Sequence, residues 1–332
     1  LFSLLFFALV PVHIYYSRAF MPESAMLFFS IGAIFYFSEW INKERWPLFF
    51  VAILFASLAF LIKLPIVHIG LPLLFLAAYK YRWHAMINWK LWMFAFFVLS
   101  PAIFWYLHGY RIAIKFHQEF DPYFIFGGGP WGSIKCFLKY EIYRRFLLDI
   151  PTVILTPCGL LCLISGIMIK VKDLREYLFH FWFIAVVIYF YMSGQRFLNH
   201  DYYFLPLIPI AAVFIGKTLN IAFQPNLHLD TLRNKFFVLI ASMCIVTLPL
   251  FSWLYISPHY HLKENLMIAA RMINNITTKN DLIFVSTNTN TPSEILYYSD
   301  RKGWYVSYRD ITIADIESIR EKGARYFVCT PI

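Results

Sequence analysis

Charge is what this chain has least of. Asp, Glu, Lys and Arg make up 14% of its 332 residues, and only 19 are acidic. Soluble domains carry about 25% charged residues. With 60% of the chain hydrophobic, no water-exposed surface could cover the apolar remainder, so a soluble fold is excluded, and disorder with it. Cysteine is scarce too. Cys136, Cys158, Cys162, Cys244 and Cys329 form no C-x-x-C pair and have no His cluster at zinc spacing. Neither a disulfide framework nor a zinc site is implied; Cys158 and Cys162, four apart in an apolar run, read as small packing residues. Phosphate-cradling loops are missing as well, because Gly127-Gly128-Gly129 lacks the Lys-Ser/Thr and the preceding strand of a P-loop and reads as a bend. The formal charge of +10 suggests no nucleic acid, since the Lys and Arg fall in short loops between apolar runs.

What the chain does have is long hydrophobic runs, rich in 36 Phe, 22 Tyr and 10 Trp. About 20 apolar residues span the hydrocarbon of a bilayer. On that ruler about nine spans lie near 1–15, 23–41, 46–62, 65–80, 90–108, 151–169, 177–193, 203–220 and 236–256, the third and fourth forming a tight hairpin around Lys63-Leu64-Pro65. Alternate loops differ in basic residues. One set holds Lys43 and Arg45; Lys80, Arg82 and Lys90; Lys170, Lys172 and Arg175; and Lys217, Arg233 and Lys235. The other short loops hold one each, Arg18, Lys63 and Arg196, and are placed outside by the positive-inside rule. The long outer loop 109–150 is both basic and aromatic, which suits a segment lying on the membrane surface. The chain starts at Leu1 inside an apolar stretch without a basic signal-peptide region, and we expect it to be a piece of a longer protein.

Beyond residue 256 the pattern changes. Residues 262–277 read as an amphipathic helix and 281–286 as a strand, followed by PSEILYYSD as helix, WYVS as strand, ITIADIESIREKG as a helix capped by Gly323, and ARYFVC as strand. Helix alternating with strand predicts a small α/β domain with a parallel sheet over 257–332, with no nucleotide-binding glycine motif. The expected fold is therefore mainly α, a polytopic transmembrane bundle over 1–256 with an extracytoplasmic C-terminal α/β domain.

Ionisable groups at a membrane boundary are costly and tend to mark function. Arg18, Glu23, Lys63, Asp121, His200 and Asp201 all map to the outer face. Each has a plainer explanation. Glu23 follows Pro22 at a helix start, where a carboxylate is favoured anyway. Arg18 and Lys63 can snorkel to headgroups. His200 can be interfacial, His13, His68 and His180 can simply pack, and Lys135, Lys139, Arg144 and Arg145 can anchor lipid headgroups.

Three ordered segments add to this reading. YYSRAFMPESAMLFFSIGAIFYF (15–37), SLAFLIKLPIVHIGLPLLFL (57–76) and RFLNHDYYFLPLIPIAAVFIG (196–216) resemble segments of the GT-C superfamily of polyprenyl-phosphate-sugar glycosyltransferases, which includes dolichyl-phosphate-mannose protein mannosyltransferases and the lipid A aminoarabinose transferase. The family's T-K-G is Ile62-Lys63-Leu64 here, a departure. The resemblance implies inverting transfer of a sugar from a lipid-linked phosphate donor to a hydroxyl acceptor on the extracytoplasmic face. It implies that Glu23 is a second acidic site orienting acceptor or metal, that Arg18 and Lys63 contact the donor phosphate, and that His200, Tyr203 and Arg196 line the cavity. The main catalytic carboxylate would lie upstream of Leu1. Partners would be the polyprenyl-phosphate sugar, a hydroxyl-bearing protein, lipid or glycan, and membrane lipids; a bacterial inner membrane is the expected location. No cofactor is indicated by the residues, and a divalent metal is left open. A transporter is the rival from another class, but its ionisable groups would sit near the midplane; a lipid-linked polysaccharide polymerase or ligase is the other.

Overall fold

The computed structural model describes residues 1–115, 139–193, 200–224, 232–261, 264–287, 293–307 and 311–330. The chain divides into two compact units, Leu1–Pro258 and His259–Ile332.

In the first unit, apolar runs become helices that break at prolines and charged residues. Helix α1 (Phe2–Leu9) ends just before Pro11, which has no N–H to continue it, and α2 (Pro11–Arg18) restarts with that proline in its first turn. Helix α3 (Glu23–Lys43) carries an acid in its first turn and a base in its last, both matched to the helix dipole. After α4 (Trp46–Ile62), Lys63 is extended, and Leu64–Ile69 form a 3-10 helix that leads into α5 (Gly70–Tyr81). The fourth expected span therefore opens on a tighter helix, because Pro65 withholds a backbone N–H and keeps Leu64 away from α geometry. Helix α6 (Trp89–Lys115) runs past the expected end at 108. The described far end of the outer loop is also helical, α7 (Tyr140–Asp149), and a single π turn, Ile150–Ile154, links it to α8 (Pro157–Met168) through a bend of 98°. Thr156 sits at this bend with φ +64°, and its hydroxyl accepts the Gly159 N–H at 3.2 Å to cap α8. Helices α9 (Tyr177–Ser193), α10 (Leu207–Ala222) and α11 (Leu232–Ile256) complete the unit.

Among the described residues, five helical segments are long and apolar enough to cross a membrane, or six if the bent pair is one span; α4 and α10 are shorter apolar helices. The protein is thus a polytopic helical bundle with a small sheet. Helix α10 is buried over most of its surface, with Ile208, Ile210, Ala211 and Ile215 fully enclosed, and packs on α1 and α8. The α8–α10 approach depends on a missing side chain: a Cβ on Gly166 would lie 2.1 Å from the Phe214 carbonyl oxygen. Between α3, α4 and α6 the core is aromatic, with Phe37–Phe94 and Trp40–Phe49 ring centroids each 4.8 Å apart.

The second unit contains α12 (Glu264–Ile276), β1 (Leu282–Thr287), α13 (Ser293–Tyr298), β2 (Lys302–Ser307), α14 (Ile313–Glu321) and β3 (Ala324–Thr330). Its sheet has the order β2-β1-β3 with both pairings parallel, each crossover made by a helix. Leu266 and Ile273 of α12 and Ile295 of α13 close over Ile283 and Val285 of β1. Thr312 and Asp315 form a capping box on α14, and Gly323 follows that helix at φ +102°.

Candidate functional site

Polar groups from five parts of the first unit meet at one end of the bundle. Pro22 starts α3 and leaves Glu23 in its first turn, where the helix dipole favours a carboxylate. Lys63 is freed from α4 by the Pro65 break. A 3-10 helix, Asp201–Phe204, enters from the segment before α10, and Tyr16 and Tyr255 come from the last turns of α2 and α11.

Glu23 and Lys63 are joined by an ion pair between Oε1 and Nζ, with the Glu23 side chain 2% exposed and Lys63 24% exposed. Such a pair is costly to bury, so its geometry has to be good. The second oxygen of Glu23, Oε2, is buried and has no hydrogen-bond partner among the described residues. The Lys63 ammonium also lies over two aromatic faces, 4.7 Å from the Tyr202 centroid and 5.1 Å from that of Tyr203. His200, exposed, stacks on Tyr202 at 5.0 Å. Both oxygens of Asp201 accept hydrogen bonds, one from the Tyr16 hydroxyl and one from Tyr255. Beside Glu23, the stripe Ser24, Leu27, Ile31 and Phe35 along α3 lines an apolar groove of about 420 Å³, flanked by Phe7 and Phe55.

Of the residues singled out from sequence, the structure brings Glu23, Lys63, His200 and Tyr203 into one cluster. Arg18 is exposed on the last turn of α2 and has no ion pair or hydrogen bond to a described residue. Arg196, Asp121 and Gly127-Gly128-Gly129 lie outside the described residues. His68 is buried with Nδ1 3.0 Å from the Pro65 carbonyl oxygen, and His13 packs on Phe7 at 4.3 Å. Asp201 was mapped to this face with no role attached, and Tyr16, Tyr202 and Tyr255 were not singled out; the pairs Tyr15-Tyr16 and Tyr202-Tyr203 were the available signal, hidden among 22 tyrosines. Among the described residues no group of three or more His, Cys, Asp or Glu side chains could hold a metal ion. The opposite helix ends carry their own ion pairs, Lys80 with Glu44 at 3.6 Å and Lys217 with Glu176 at 2.7 Å.

A polytopic bundle with a buried ion pair ringed by tyrosines at one end defines a membrane protein with a polar site at its boundary. Residues 1–105 match the family described as dolichyl-phosphate-mannose-protein mannosyltransferase. The matched stretch contains Arg18, Glu23 and Lys63. The chain is also 30% identical over 208 residues to an uncharacterized protein of Aquifex aeolicus (strain VF5), covering 61% of this chain and 44% of the relative. It therefore spans less than half the length of that curated relative. No solved structure matches the chain.

Proposed function

We propose that this chain is part of a membrane glycosyltransferase of the GT-C type, which moves a sugar from a polyprenyl-phosphate-linked donor to a hydroxyl acceptor on the extracytoplasmic face, with inversion. The observation that carries the reading is the buried Glu23–Lys63 pair with its unpartnered Oε2, lying inside the segment that matches the mannosyltransferase family.

In this reaction the bond between the sugar carbon and the donor phosphate oxygen breaks, a bond from that carbon to the acceptor oxygen forms on the opposite face, and the acceptor's O–H bond breaks with its proton passing to a general base while the phosphate leaves with the electron pair. Charge develops on the leaving phosphate, and a cation within reach stabilises it. Lys63 has three N–H donors, of which Glu23 takes one, and its ammonium is held in place by the Tyr202 and Tyr203 faces. A phosphate oxygen can take another donor without the ion pair breaking. Glu23 Oε2 is free to accept a hydroxyl from the acceptor or the sugar, and its burial gives that one hydrogen bond more weight than it would have in water. Arg18, exposed and without a partner among the described residues, is the second cation. The apolar groove beside Ser24 has the chemistry of a lipid chain.

The test is sugar transfer in vesicles by the full-length parent protein carrying Glu23→Gln, Lys63→Ala or Arg18→Ala. A loss of about 100-fold or more is expected for Lys63→Ala, the size of effect seen when one oxyanion donor is removed. Wild-type turnover in all three variants would remove these residues from the reaction, and the reading with them.

A further inference from the structure

Asp201 is bonded unlike the acids of the bundle that form ion pairs. Glu23, Glu39, Glu44, Asp149 and Glu176 each face a lysine or arginine. Asp201 instead takes two phenol O–H donors, one on each oxygen, from Tyr16 on α2 and Tyr255 on α11. Those helices are far apart in sequence and pack on each other, and the aspartate clasps their ends. With each oxygen committed to a tyrosine, the group is built to hold rather than to react.

What it holds is next to it in the chain. Tyr202 and Tyr203 follow Asp201 in the same 3-10 helix. The Tyr16 ring meets Tyr202 edge-on at 5.7 Å, 77° between planes, so the residue bonded to Asp201 also braces the ring beside it. Tyr202 and Tyr203 lie 4.6 Å apart and present their faces to the Lys63 ammonium. A cation–π contact depends on the ring face staying aimed at the cation, and a tyrosine in a loop loses that aim unless something fixes the backbone it grows from.

We propose that Asp201 is a positioning residue: by clasping Tyr16 and Tyr255 it aims the Tyr202–Tyr203 pair and so sets Lys63 to receive an anionic lipid phosphate. The proposal rests on the donor-phosphate role given to Lys63 above. Asp201 acts only through the tyrosines and does not touch the ligand.

The experiment measures binding of undecaprenyl phosphate to the purified full chain in detergent, with the melting temperature followed in parallel. Asp201→Asn is expected to weaken binding by about tenfold, roughly what one well-placed hydrogen bond contributes. Tyr16→Phe and Tyr255→Phe, which like Asp201→Asn each leave one clasp bond, are expected to weaken binding in the same direction. In a Lys63→Met background, Asp201→Asn is expected to add nothing, because the group it positions is gone. An aspartate that only stabilised the fold would lower the melting temperature, leave affinity in the folded protein unchanged, and act independently of Lys63. Wild-type affinity in folded Asp201→Asn, or multiplying effects in the double variant, would overturn the proposal. If Asp201→Asn does not fold, Tyr16→Phe alone and with Lys63→Met decides by the same criteria. Failure of the unaltered protein to bind undecaprenyl phosphate would instead strike the donor reading itself, and the proposal would fall as a consequence.

Discussion

Separating Glu23 from Lys63 tests the physics of the site without any substrate. Lys63→Met keeps the volume of the alkyl stem and removes the ammonium, leaving a carboxylate that is 2% exposed with neither oxygen satisfied. Removing one member of a buried pair typically costs about 3–5 kcal/mol. The reverse change is milder, because Lys63 is 24% exposed and keeps its two tyrosine faces. Glu23→Gln also retains an oxygen that accepts the Lys63 N–H, so only the ionic excess of a charge-assisted bond is lost, about 1 kcal/mol. Combining Glu23→Met with Lys63→Met removes both charges and is expected to recover stability to within about 1 kcal/mol of wild type, or above it. The order of melting temperatures in detergent should therefore be Lys63→Met lowest, then Glu23→Gln, with the double methionine variant above Lys63→Met. The assay is thermal unfolding followed by loss of the monodisperse peak in size-exclusion chromatography. If Lys63→Met is no less stable than Glu23→Gln, or the double variant no better than Lys63→Met, the pair is not the buried, mutually dependent unit described here.

Two further expectations concern packing and acid. Gly166→Ala drives a Cβ against the Phe214 carbonyl, a backbone atom that cannot rotate away, and should destabilise the bundle by about 1–3 kcal/mol; Gly70→Ala, with nothing within 4 Å of its Cβ, should be neutral or stabilise by up to about 1 kcal/mol in the same melting assay. In the second unit, the Thr278 N–H and hydroxyl at 2.8 and 2.9 Å, joined by Arg325 at 2.9 Å, hold the Asp281 carboxyl below the usual carboxylate range. Its folded value is the lower one, so its contribution is fully present above the unfolded value near pH 4 and is lost as pH falls through the folded value. Hydrogen exchange of 264–287 in the full chain should accelerate below about pH 4 in wild type. In Asp281→Asn that exchange should be faster at neutral pH and less responsive to acid; a wild-type acid response in the variant would refute the assignment.

Helices and sheet were legible because their signals are local. The apolar runs, the alternation of helix and strand beyond residue 256 and Gly323 after the last helix each state an element within a few residues, whereas the break at Pro11 divides the expected span 1–15 into two helices. The breaks were less so. SLAFLIKLPIV reads as a tight hairpin at Lys63-Leu64-Pro65, but nothing in it states that the next span opens on a 3-10 helix, since Pro65 is equally acceptable in the first turn of an α-helix. The bend at Thr156 was hidden because TPCGLLCL is also an acceptable helix start within a longer apolar run, and the positive φ leaves no mark on composition. At the site, sidedness brought Glu23 and Lys63 onto one face, but their pairing is a contact between residues 40 apart in sequence, which no local pattern encodes. The clasp on Asp201 is more remote still: its two tyrosines lie 185 and 54 residues away, and aromatic residues are too common here for any one to stand out.

The charges at this end of the bundle constrain the proposed chemistry. Within the cluster Glu23 and Asp201 supply two negative charges against the one positive charge of Lys63, and Arg18, exposed on α2 with no partner among the described residues, stands outside it as a further cation. A phosphodiester donor brings one further negative charge, and an unbalanced charge at the edge of a low-dielectric bundle is expensive. Lys63 cannot carry that charge alone, because its own is already set against Glu23. The cation left over is Arg18, which is exposed on the last turn of α2, the same short helix that gives Tyr16 to the Asp201 clasp. Donor binding on this scheme requires Arg18 to trade water for phosphate, which its planar, weakly hydrated guanidinium does more readily than an ammonium would. The two basic residues then divide the work by their surroundings, a fixed lysine that orients the phosphate and a solvated arginine that follows it in.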